Sequence, residues 1–482
     1  MSIRKSICYI SSALSLVAAL SSCKQSSSED PVVVEAPELV SCDPESGAQE
    51  LKGTSLQIVL TFDQNVKCPS SKHSLLSIDH DAVIDKVLAY NKDVTITVSS
   101  LQEGLTYVLT IPEGAISGFK DNPVGTITYT FSMKASEKDY EREPSSSLTN
   151  QHATESAKNL YAFLLEQYGQ KTLSGAMGGT AWETTYTDYI SQQCGIYPAI
   201  VGFDYLFLNW PAKSWSGCPD YADITPVKTA WEAGNIIQIG WHWTVPSVEG
   251  ETDLNNYSYT TRKFGVENAL TQGTWQNKLI DEQIKKLAGY LSLLQDEGIP
   301  VLFRPLHEAA GDYTWGAWFW WGYEGGDACA RLWRYLRDQL QNTYKLNNLI
   351  WVWTVQTRDG GRVCEDPDKA RAWYPGDDYV DIVGADLYES KWTSQSSSFR
   401  YVNNAVKGRK MVALCEFGNL LDFPLAHSEG APWLYMMNWS NFVDGKPVLY
   451  ALNSDGEYMW NNTAADWKKV LSENCMLNRA DL

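Results

Sequence analysis

Two glutamates close long apolar runs in this chain of 482 residues. Glu308 ends IPVLFRPLHE, which starts at Ile299, and Glu416 follows KMVALC, which starts at Lys410. An ionised glutamate is seldom buried without a partner, because removing it from water costs several kcal/mol. Two carboxyl groups facing one cleft are what cleavage of a glycosidic bond requires. One protonates the leaving oxygen, while the other attacks the sugar or activates water at its opposite face.

Other polar groups stand where apolar runs stop: Asp204, His242, Asp386, Tyr388 and Trp439. Asp386 and Tyr388 lie two apart in VGADLY and so point the same way on a strand. His307 precedes Glu308, and Arg304 is the near neighbour expected to pin it. From Tyr313 to Tyr323, seven of eleven residues are aromatic. With 20 Trp, 26 Tyr and 13 Phe in all, the chain has more aromatic surface than a core needs. Such rings suit flat, partly apolar ligands such as sugar rings or bases. The net charge of −19 decides between these, since a polyanionic backbone needs Lys and Arg to displace its counterions. A neutral ligand is favoured and nucleic acid is excluded.

The two glutamates are 416 − 308 = 108 residues apart, which fits three strand–helix units. Eight apolar runs can be counted, starting at Thr172, Tyr197, Asn235, Ile299, Asn348, Asp378, Lys410 and Trp433. Segments with helical spacing separate them, NKLIDEQIKKLAGYLSLLQDEG being the clearest. Eight such units predict a (β/α)8 TIM barrel over 151–482, with its chemistry at the C-terminal strand ends. Glu308 and Glu416 then fall on strands four and seven. An open doubly wound sheet would want a glycine-rich phosphate turn, and GAMGG at 175–179 lacks that pattern.

Before the barrel, residues 37–133 alternate in the manner of strands (SLQIVLTFD, DVTITVSS, LTYVLTIP, GTITYTFSM) and predict a small all-β sandwich. Residues 134–150 are charged and then Ser-rich, and are expected to be a linker. At the start, Arg4 and Lys5 precede an apolar stretch from Ile7 to Leu20, too short to span a bilayer, followed by Leu20-Ser21-Ser22-Cys23. This reads as a secretory signal over 1–22, with residues 23–36 as a tether. Of the ten Cys, Cys42 with Cys68, Cys194 with Cys218 and Cys329 with Cys364 are the disulfide pairs that position suggests. No Cys spacing matches a zinc template and only six His are present, so no structural metal is expected.

RPLHE, WFWWG, VGADLY, ALCEFG and WHW together resemble glycoside hydrolase family 26, whose best-known members are endo-β-1,4-mannanases. The likeness covers about residues 150–470. It implies a (β/α)8 barrel with Glu308 as general acid/base and Glu416 as nucleophile of a retaining double displacement, without a cofactor. It also implies that His242 and His307 contact sugar near the cleavage point. Tyr388 would hydrogen-bond the nucleophile, Asp386 would support it, and Trp318, Trp321 and Trp439 would stack on sugar rings. The sandwich resembles bacterial immunoglobulin-like domains, and Leu-Ser-Ser-Cys resembles the bacterial lipobox. That last likeness implies acylation of Cys23 and an exported lipoprotein anchored to the outer membrane. One departure stands out: HEAAG is followed by DYTWGA before WFWWG, where the tighter family form runs almost directly into WFWW. The expected substrate is a neutral β-linked polysaccharide of the mannan class. Two other readings stay open, a same-family hydrolase of β-1,3-1,4-glucan or β-1,3-xylan and a non-catalytic glycan-binding lipoprotein.

Overall fold

The computed structural model describes residues 35–102, 104–134, 139–210 and 218–482. The expected signal, most of the tether and the lipidation site Cys23 lie outside the described residues. The chain divides into two units, Met1–Lys138 and Asp139–Leu482. Among the described residues no helix is long and apolar enough to cross a membrane.

In the first unit, two four-stranded sheets enclose one core. The first has the order Leu39–Asp43, Ser55–Phe62, Asp93–Ser99, Val83–Tyr90, all antiparallel. The second has the order Ala48–Leu51, Ile127–Met133, Thr106–Ile111, Ser77–Ile78. Alternate side chains turn inward, since successive residues of a strand face opposite sides. Ile58, Leu60 and Phe62 thus meet Tyr107, Leu109 and Ile111, and all six are buried. The four strands read from the sequence are present. Leu39–Asp43, Ala48–Leu51 and Val83–Tyr90 were not anticipated; their faces are largely exposed, so their alternation is weak.

In the second unit, eight parallel strands close into a barrel: β1 (Gly175–Met177), β2 (Ile200–Asp204), β3 (Ile236–Trp241), β4 (Val301–Pro305), β5 (Leu349–Val355), β6 (Ile382–Leu387), β7 (Met411–Phe417) and β8 (Met436–Asn438). Each lies within one of the eight predicted runs, and each is followed by a helix. Strands buried on both faces read as continuous apolar runs, and β4 to β7 are buried throughout. Their residues fall alternately into two clusters. Leu302, Ile350, Val352, Ile382 and Met411 form one with Leu160, Tyr161 and Leu164 of helix Glu155–Gln167. Val301, Phe303, Trp351, Val383 and Val412 form the other, packed against the outer helices. Thr154 caps that first helix, its hydroxyl accepting from the Ala157 amide at 3.3 Å, and its own amide donates to Asn347 O just before β5. The helix therefore closes the N-terminal end of the barrel and leaves the C-terminal end open for a site.

Within the segment expected as a linker, residues 140–149 have no regular secondary structure and bond to the barrel unit. The Tyr140 amide donates to Asn404 Oδ1, and the Thr149 amide to Asp381 Oδ1. The three suggested disulfides are not formed: Cys68, Cys194 and Cys329 are free thiols. Cys329 is buried among core residues of helix Gly326–Asp338, and Cys194 Sγ donates to Ile196 O. Nearness in sequence does not give the geometry a disulfide needs.

Candidate active site

The cluster starts from Arg304 on β4, which is 2% exposed. Its Nη1 donates to Asp386 Oδ2 on β6 at 2.8 Å, and its Nη2 donates to Glu416 Oε2 on β7. A buried guanidinium is tolerated when its fork meets carboxylates. The sequence reading that Arg304 pins Glu308 is therefore corrected: Arg304 reaches across the barrel to the β7 carboxylate instead. Glu416, itself buried, accepts a second hydrogen bond at Oε1 from Tyr388 Oη, 2.7 Å away. Asp386 Oδ1 has no hydrogen-bond partner. Burial pushes the Asp386 carboxyl up to about 7, against the pull of Arg304.

Glu308 follows β4 by three residues, in a turn where both Leu306 (φ 50°) and Glu308 (φ 49°) are left-handed. Residues with a Cβ pay about 1–2 kcal/mol each for that conformation. The turn swings the Glu308 carboxyl under Trp318, whose Nε1 donates to Oε2 at 2.9 Å. Burial, then the charges of Glu416 and Asp386, hold the Glu308 carboxyl well above the ordinary range. The reason is countable: Asp386 and Glu416 share one cation, so a third carboxyl beside them resists ionisation.

Beside this cluster, Asp204 at the end of β2 accepts twice from His242, from Nδ1 at 2.8 Å and from the backbone amide at 3.1 Å. Burial alone would lower the His242 pKa, but Asp204 outweighs it and raises it. His242 Nε2 lies 3.1 Å from His307 Nε2. The His242 ring also neighbours Trp439 (5.6 Å) and Tyr259 (5.7 Å). His307 differs from its expected place. It is 1% exposed and its pKa is pushed well down by burial and then by His242. It backs His242, with its ring also beside that of Phe319. Trp321 is likewise corrected: it is fully buried, stacks on Phe319 at 4.4 Å, and donates from Nε1 to His307 O. Trp318 is 38% exposed and Trp439 is half-buried.

So Glu308, Glu416, His242, Asp386, Tyr388, Trp318 and Trp439 gather at one mouth, while His307 and Trp321 support it from behind. Sequence reasoning gave no role to Asp204, although FDY ending an apolar run was visible. It also missed Trp460, buried against the Tyr388 ring at 5.6 Å.

A closed (β/α)8 barrel whose strand ends gather carboxyl groups beside exposed indoles defines a glycoside hydrolase. The chain belongs to glycosyl hydrolase family 26, whose family model matches residues 149–463. A bacterial Ig-like domain matches residues 33–133. A mannan endo-1,4-beta-mannosidase of Thermothelomyces thermophilus is 34% identical over 323 residues, 66% of this chain and 61% of that protein. Mannan endo-1,4-beta-mannosidase A of a Piromyces species is 32% identical over 311 residues, 63% of this chain and 47% of that protein. The chain thus spans about half to three fifths of the curated relatives it matches. Among solved structures, the GH26 domain of a Prevotella bryantii endo-beta-mannanase/endo-beta-glucanase superposes with a TM-score of 0.60 at 34% identity, covering 70% of this chain and 99% of that one.

Proposed function

We propose that this chain is a retaining endo-β-1,4-mannanase in which Glu308 is the general acid/base and Glu416 the nucleophile. The observation that carries the reading is the contrast between the two carboxyl groups. Glu416 is held by Arg304 and Tyr388, both donors, which suit an anion. Glu308 is desolvated among negative charges, which suits a carboxylic acid. A carboxyl desolvated among negative charges, beside one held by two donors, assigns acid and nucleophile.

In the first step a Glu416 oxygen attacks the anomeric carbon, and Glu308 gives its proton to the leaving oxygen. In the second, Glu308 takes a proton from water, which attacks the same carbon and frees Glu416. Before the first step Glu416 is charged and Glu308 is neutral; after the ester forms, Glu416 is neutral and Glu308 is charged. The net charge of the buried site is therefore the same before and after the step, and no further charge has to be desolvated. Trp318 Nε1 is placed to donate to the Glu308 carboxylate once it forms. Asp386 acts through Arg304, and His242 and Trp439 border the sugar on the β3 and β8 side.

Retention and mannan cleavage are tested together by product release from β-mannan, glucomannan, mixed-linkage glucan and xylan, with NMR reading the anomer first formed. Expected are short manno-oligosaccharides of retained configuration, with a loss of about 10²–10⁴-fold on Glu308→Ala and a larger loss on Glu416→Ala. Release from mixed-linkage glucan or xylan alone would keep the mechanism and overturn the substrate.

The segment from Arg4 to Cys23 supports a second proposal, that the protein is an exported lipoprotein acylated at Cys23. The Ig-like domain then serves as a spacer between anchor and barrel.

A further inference from the structure

Trp315 has no role in the mechanism above. It is 74% exposed, and with Trp318 it is one of two exposed tryptophans among the described residues. It sits in the DYTWGA stretch that lengthens the loop after β4. An exposed indole on a slack loop would be unremarkable, but this loop is clamped. The carboxylate of Asp312, 3% exposed, accepts from four backbone amides: Thr314 (2.8 Å), Trp315 (3.0 Å), Gly360 (2.8 Å) and Gly361 (2.9 Å). Two belong to its own turn and two to the loop after β5, so one side chain rivets the two loops together. Thr314 Oγ1 adds a bond to Asp359 Oδ1 at 2.7 Å, and the Tyr313 amide donates to Arg358 O. The indole rests on Gly361, where a Cβ would come within 2.9 Å of its Cη2.

Position gives the mount a purpose. Trp318 is bonded to Glu308, and three residues of chain keep the Trp315 Cα within about 11 Å of the Trp318 Cα. Glu308 protonates the leaving oxygen, which belongs to the sugar on the reducing-end side of the broken bond. A flat, exposed ring on the same loop as Glu308 and Trp318 is within reach of the departing portion of the polymer. A ring already fixed in place loses little freedom when a ligand stacks on it.

We propose that Trp315 is an outer sugar-stacking platform for the reducing-end side of the polysaccharide, which makes the enzyme favour long chains. This inference rests on the roles given above to Glu308 and Glu416. Its test compares kcat/KM on mannohexaose with kcat/KM on an aryl β-mannobioside, whose leaving group is too short to reach the platform. In Trp315→Ala the ratio of hexaose to aryl glycoside should fall about tenfold, equivalent to about 1.4 kcal/mol, and Trp315→Phe should restore most of it. With reducing-end-labelled mannohexaose, the labelled product should shorten in Trp315→Ala. In a Glu416→Ala background, affinity electrophoresis in glucomannan should show weaker retention when Trp315→Ala is added. An unchanged ratio, or an equal fall on both substrates, would overturn the proposal. Should the wild type cleave mixed-linkage glucan and not mannan, the mannan reading fails by itself. The platform is then judged by the same ratio on that polymer's hexaose and aryl glycoside.

Discussion

Arg304 on β4 donates directly to Glu416 on β7, although 112 residues separate them and two strands stand between. The same guanidinium holds Asp386 on β6. The strand that leads to Glu308 thus also grips Glu416, so the two carboxyl groups proposed as acid and nucleophile are tied to one strand.

Removing that grip should be costly. Arg304→Ala leaves two buried carboxylates without their cation, and breaking a buried pair typically costs about 3–5 kcal/mol. Urea unfolding of the barrel unit should show a loss of this size, together with loss of cleavage. A variant as stable as the wild type would mean that the cluster is wetter than its burial implies.

The pH dependence follows from the raised pKa of Glu308. As the proposed general acid it works in its protonated form, so kcat/KM should persist above the ordinary glutamate value of about 4.3 and fall as pH rises through the Glu308 pKa. Glu416→Gln removes the larger of the two charges that raise it. A carbon-13 NMR titration should then find Glu308 ionising at lower pH in that variant, and an unmoved titration would contradict the electrostatic account.

Tyr388→Phe removes only the hydroxyl that donates to Glu416 Oε1. Hydrogen bonds to charged groups are worth about 1.5–3 kcal/mol, so kcat should drop by roughly 10- to 150-fold. The ring keeps its place against Trp460, so the midpoint of thermal unfolding should fall by no more than the loss of that one hydrogen bond. A large drop in Tm with unaltered kcat would assign Tyr388 to packing.

Asp312 offers a test of the clamped loops. Burial alone would raise its pKa, but four backbone donors outweigh that and lower it. A depressed carboxyl stabilises above its unfolded pKa of about 3.9, and that contribution is lost as pH falls through its lower folded value. Asp312→Ala should strip hydrogen-exchange protection from the amides of Thr314, Trp315, Gly360 and Gly361, with a local cost of roughly 1–3 kcal/mol. Protection unchanged in the variant would show that the loops hold themselves.

How far the sequence carried this picture depended on the range of each signal. Buried parallel strands announce themselves as unbroken apolar runs, so VLFRP and IVGADL could be placed with their polar ends. The partner of Arg304 could not. Its nearest carboxyl along the chain is Glu308, whereas its true partners arrive only when the barrel closes. Trp318 and Trp321 look alike in WFWW, yet one is exposed and the other sealed. Trp321 is sealed by Phe319 and by its bond to His307 O, contacts that no repeating pattern encodes. The exposed edges of the sandwich failed for the opposite reason, because a strand with little to bury carries little signal.

The paired left-handed residues before and at the acid have a meaning for how this sequence can drift. Leu306 is buried in the core, where truncation would cost about 2–5 kcal/mol, more than the strain it would relieve. At 308 glycine or asparagine would relax the turn, so under selection for stability alone that position should move toward those types, yet glutamate stands there. The backbone at the acid thus holds a small tension in reserve, and the easiest route to a sturdier barrel is also the route that silences it.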